Sequence, residues 1–206
     1  MVRPDPFRIA EPFPPPPRLV QSAYAKLEVV LSGDQERIAA LGPLERLDHP
    51  WEPARCGRAL RAELWRWLED VAGWVNHEFG WGVERLIPPC WPRHPHIAHE
   101  LAVLADQRYS AGQSFHGGPL EEWHRYSLPM FLERMTTRLG NRCVSRHDDW
   151  PAAARFHTYS SQQSVTERWA RFHDDASTTL STASTSRHLA LVDLDSAEVI
   201  DDGGQP

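Results

Sequence analysis

The chain has a single lysine, Lys26; its other basic residues are all arginine. Arginine meets carboxylate or phosphate through a planar fork, where lysine offers a point charge. The bias also follows GC-rich codons and points to a high-GC bacterial genome. Cysteine is scarce too: three residues at irregular spacing exclude a paired disulfide framework and fit a reducing cytoplasm. No run approaches the roughly 20 apolar residues that a membrane helix needs, so no membrane partner is expected. The opening residues, Met1 to Arg8, lack the apolar core of a secretory signal. There is no Gly-Lys-Ser/Thr phosphate loop and no Gly-x-Ser-x-Gly elbow. A net charge of -6 with a pI near 6.0 excludes a basic nucleic-acid coat.

What is present reads as helix. At 206 residues and 41% apolar content, the chain fits one ordinary domain with tails. Residues 1–17 hold seven prolines and form a leader able to adopt polyproline II but not helix; a surface-laid or disordered spacer is favoured over a docking peptide. From Leu19 the apolar period is helical. Gly33 ends the first run, and Asp34 caps a short second one carrying Ile38 and Leu41. The clearest helix is expected over 54–79, with Leu60, Leu64, Trp67, Leu68, Val71, Trp74 and Val75 as its stripe. Prolines 88, 89 and 92 then hold the chain extended. Pro95 opens the next helix, which runs to about Gly112. A helix through Leu120, Trp123, Met130 and Met135 should kink or split at Pro129 and stop at Gly140-Asn141. A further stretch opens at Trp150-Pro151, and Ser164-Val-Thr-Glu167 matches a capping box. The expected class is mainly α: a single irregular helical bundle over 18–174, with a disordered tail over 175–206 that is Ser/Thr-rich and then acidic, Asp193 to Asp202. Nine tryptophans are more readily spent on packing than on stacking bases.

Two blocks share one spacing: Cys90-Trp-Pro-Arg-His94 and Cys143-Val-Ser-Arg-His147. Each sets a thiol and an imidazole four positions apart, and together they offer a Cys2His2 set for structural zinc. The alternatives are no cofactor at all and cysteines used as small buried hydrophobes. His96, His99 and Glu100 share a helix face, but their order is not that of the known zinc-hydrolase motifs; a metal-dependent hydrolase there is the third-ranked reading. Arg134, Arg138, Arg142 and Arg146 belong to a basic stripe that begins at Arg125; phosphate contact with nucleic acid is the second-ranked reading.

The run Cys90-Trp91-Pro92-Arg93-His94-Pro95, then Leu101 and Leu104, Trp123-His124-Arg125-Tyr126 and Arg142-Cys143 resembles the family catalogued as domain of unknown function 4913. These are small proteins of actinobacteria, their phages and mobile elements. The likeness covers about residues 60–147, with Cys-Trp here in the reverse of the family's order. It implies an intracellular accessory protein and carries no activity. The leading expectation is therefore a non-enzymatic adaptor, cytoplasmic, whose partner is another protein.

Overall fold

Apolar residues repeated at three- and four-residue spacing can be buried together only on a helix. In the computed structural model, which describes residues 9–144 and 146–177, helices dominate, and no strand occurs among the described residues. The fold is mainly α. The chain divides after Asp148 into two compact units; the expected domain over 18–174 spans both. The acidic segment read at 193–202 lies outside the described residues. No described helix is long and apolar enough to cross a membrane.

In the first unit, α1 (Arg18–Ser32) ends at Gly33, whose φ of 73° only glycine adopts cheaply. α2 (Gln35–Ala40) is capped as its sequence asks: the Asp34 carboxylate accepts from the Arg37 N–H at 3.2 Å. The long helix α3 (Arg58–Phe79) starts four residues later than its periodicity suggests. Pro53–Arg55 forms a separate 3-10 turn, and Asp48 accepts from the Gly57 N–H at 2.8 Å. α3 buries Leu60, Leu64, Trp67, Leu68, Val71 and Val75 against α1 and α4 (Pro95–Gly112). Each such side chain contributes about 1.5–3 kcal/mol.

α5 (Gly118–Glu122) runs on into α6 (Leu128–Leu139) through a π-helical turn, Trp123–Ser127. Pro129 explains that turn. A proline lacks the N–H and crowds the carbonyl four residues back, so the preceding turn widens rather than breaks. The expected split thus becomes a bulge, and Trp123 on it points into the core, 2% exposed.

The described part of the leader, residues 9–17, is laid along this bundle. The indole N–H groups of Trp67 and Trp74 donate to the carbonyls of Pro14 and Glu11, each at 2.9 Å. Gln21 donates to the Pro16 carbonyl at 2.7 Å. The Phe13 ring stands edge-on to Trp67 and Trp74, at 6.1 and 5.1 Å between centroids. The Arg108 guanidinium lies over Phe13, Trp74 and Trp123 at 5.0, 5.6 and 5.8 Å. Phe13→Ala is expected to cost about 1–3 kcal/mol, read as a lower urea midpoint at unchanged slope. Ile9→Ala, at a fully exposed side chain, should leave the midpoint where it is.

The second unit contains α7 (Ala153–Ser160) and helical residues again over 162–177. The capping residue is Ser161, not Ser164: its hydroxyl accepts from the Ser164 N–H at 3.4 Å, so the helix begins three residues early. Arg168 donates to the Ser164 hydroxyl at 2.8 Å and lies 3.9 Å over the Tyr159 ring. Among its described residues this unit buries no hydrophobic side chain.

Candidate metal centre

Proline and glycine keep both Cys/His blocks out of regular helix. Cys90 has φ -90° and ψ 14°, in the sparsely occupied bridge region, and is followed by one 3-10 turn, Trp91–Arg93. That turn folds His94 back over Cys90. It is anchored to α3 by Trp91, 3% exposed, whose indole N–H donates to Glu69 at 2.8 Å. Asn76 holds the chain just before it, accepting from the Ile87 N–H at 2.7 Å and donating to the Ile87 carbonyl at 3.0 Å. His94 is also the N-terminal cap residue of α4, so its backbone is fixed at the start of that helix.

The second block returns to the same place. α6 stops at Gly140, with φ 56° and ψ -128°, and the chain reverses. Cys143 then adopts φ 63°, the sole non-glycine with positive φ among the described residues. A side chain in that region costs roughly 1–2 kcal/mol and points to a constraint beyond packing.

The ligand atoms of Cys90, His94, Cys143 and His147 all lie within 4.8 Å of one another. The His94 Nε2 is 3.4 Å from both sulfurs, and the Cys143 Sγ is 3.8 Å from the His147 Nδ1. A tetrahedral ion with sulfur at about 2.3 Å and nitrogen at about 2.0–2.1 Å sets those atoms about 3.6 Å apart. The cluster therefore already has the spacing of a metal-ligand set and can hold a metal. The Asp148 N–H donates to the Cys143 sulfur at 3.4 Å, a hydrogen bond that helps to orient that side chain.

The electrostatics of His94 fit the same use. Burial, then the neighbouring His147, His96 and Arg93, push the His94 pKa down, so its ring stays neutral with a lone pair to give. Burial, then the Cys143 thiol, push the Cys90 thiol up. A metal must displace a proton from Cys90, so binding weakens in acid. The third cysteine is spent elsewhere: Cys56 donates to the carbonyls of His49 and Glu52 at 3.3 and 3.6 Å.

The remaining sequence candidates fall together unexpectedly. Glu100 takes Arg134 at 2.6 Å and also Arg138, bridging α4 to α6. Burial raises the Glu100 carboxyl, but the two guanidinium groups outweigh it and hold it below the usual range. Glu100 is thus a clamp for two cations rather than a free base beside His96 and His99. Half of the four-arginine set is spent on it. Arg142 and Arg146 remain exposed, next in sequence to Cys143 and His147. Sequence spacing signalled the four metal candidates; nothing local signalled Glu100 as the partner of Arg134 and Arg138, which lie 34 and 38 positions away.

No family model, curated protein or solved structure among those compared matches this chain.

Proposed function

We propose that the chain is a non-enzymatic adaptor whose shape is fixed by a structural zinc ion, and that it acts through protein contacts in the cytoplasm. The convergence of Cys90, His94, Cys143 and His147 carries this reading. Four protein ligands leave no open position for substrate, which suits a structural ion rather than a catalytic one. Zinc is favoured over other divalent ions by two thiolates with two imidazoles in a tetrahedral arrangement. Three free cysteines agree with a reducing compartment. Exposed aromatic side chains in the second unit, Trp169 and Phe172 foremost, supply apolar surface for a partner. Kinship with the family of unknown function 4913 is part of the proposal. It is supported by His94-Pro95 standing at the start of α4 and by Cys143 trailing the tryptophan helix. Elemental analysis tests the metal directly: one zinc per chain is expected, and none sinks the reading.

A second reading, phosphate contact, is favoured by the exposed Arg142 and Arg146. On that reading Arg142→Ala with Arg146→Ala lowers the slope of log affinity against log salt by about 2. Absence of any DNA or RNA binding at 50 mM salt removes it.

A further inference from the structure

The second unit carries an exposed apolar helix face. In the helix over 162–177, Val165, Trp169, Phe172 and Ala176 recur at spacings of four, three and four. That is the seam of a coiled coil, about one and a half heptads long. Trp169 is 67% exposed and Phe172 57% exposed, so the seam is open. A helix pair this short, with no buried hydrophobic side chain, gains little from backbone bonding alone.

We propose that two copies of the chain pair through this seam, with the 162–177 helices antiparallel. The inference deepens the adaptor reading by naming one partner, a second copy.

Three observations favour a copy over another occupant. The first is charge. Arg168 and Asp175 flank the seam, one of each sign, while Glu167, Arg171 and Asp174 lie on the far side, so the face meets its own copy without strong repulsion. The second is shape, and it also sets the direction. Antiparallel pairing about a two-fold axis between Ala170 and Arg171 puts Trp169 against the other chain's Phe172, and Val165 against its Ala176. Large meets large and small meets small, whereas parallel pairing sets Trp169 on Trp169. It also brings Asp175 towards the other chain's Arg168, while Asp174 stands level with its Glu167 on the side away from the seam. The third is area. Trp150, Phe156 and Tyr159 stand in a row that reaches the seam through Arg168 over Tyr159, and with Trp169 and Phe172 they expose at most roughly 600 Å² per chain, given about 150–250 Å² for each whole side chain. A symmetric pair that covered all of it would bury on the order of 1,200 Å², the lower bound of stable specific interfaces.

Sedimentation of the full chain from about 1 to 200 μM should show a dimer of twice the 23.5 kDa chain mass, dissociating on dilution. Trp169→Asp with Phe172→Asp should abolish it while far-UV helicity holds, since both positions are exposed. A monomer throughout, or a dimer indifferent to these substitutions, overturns the proposal. Val165→Cys chains mixed with Ala176→Cys chains should cross-link to each other beyond the parent background. Efficient cross-linking of either variant to itself overturns the antiparallel direction. The metal is read separately: a chain that binds zinc yet stays monomeric defeats the pairing alone, and one that dimerises without zinc defeats the metal reading alone.

Discussion

Cys143→Ser is expected to empty the metal site and lower the melting temperature by roughly 10 °C. Loss of a metal staple belongs to the few changes that cost about 4 kcal/mol or more. A chain of this size shifts by about 2–4 °C per kcal/mol. Calorimetry with and without chelator checks it: chelator should lower the parent chain by a similar amount and leave the variant almost unmoved. Cys143→Gly makes the reading sharper. Glycine relieves the positive φ at this position, a gain of about 1 kcal/mol. If Cys143 only packs, the glycine variant should be nearly as stable as the parent. If Cys143 is a ligand, the glycine variant should lose the metal and melt with the serine variant. Lowering the pH should release the ion as protons compete for Cys90, whose thiol burial already holds up.

Trp123→Ala is the second large effect, at about 3–5 kcal/mol. Trp123 is 2% exposed, and its indole N–H donates to the Leu104 carbonyl at 3.1 Å. Its ring meets Trp74 at 6.1 Å and Phe79 at 5.8 Å. One side chain thereby joins α3, α4 and the π turn. Trp123→Phe keeps most of the apolar volume and loses the hydrogen bond, so it should cost about 1 kcal/mol plus a small packing loss. Urea unfolding followed by circular dichroism separates the two; equal costs would show that the ring's bulk is not what matters here.

Helices were legible because their signal is local. The stripe Leu60, Leu64, Trp67, Leu68 and Val71 repeats within four residues, and a period of that length has one structural solution. Caps at Gly33 and Asp34 were legible for the same reason. The π turn was not, since Pro129 announces a disturbance without choosing between a kink, a split and a bulge. The metal candidates were half legible. Each Cys/His pair is a local spacing, but their meeting depends on α6 carrying Cys143 back to the start of α4, 49 positions from His94. Glu100 shows the limit most clearly. Its two arginines lie on another helix, so the sequence presented a possible base where the fold has a bridge between α4 and α6.

The meeting of the two blocks has a consequence for how the molecule can come apart. An ion held by Cys90 and Cys143 ties the chain into a loop of about 50 residues that contains α4, α5 and α6. Closing a loop of that length removes freedom chiefly from the unfolded chain. The three looped helices thereby gain resistance to unfolding, whereas residues 9–17 and α1 lie outside the loop and gain none from its closure. The zinc would thus divide the molecule into a part that it secures and a part that it does not.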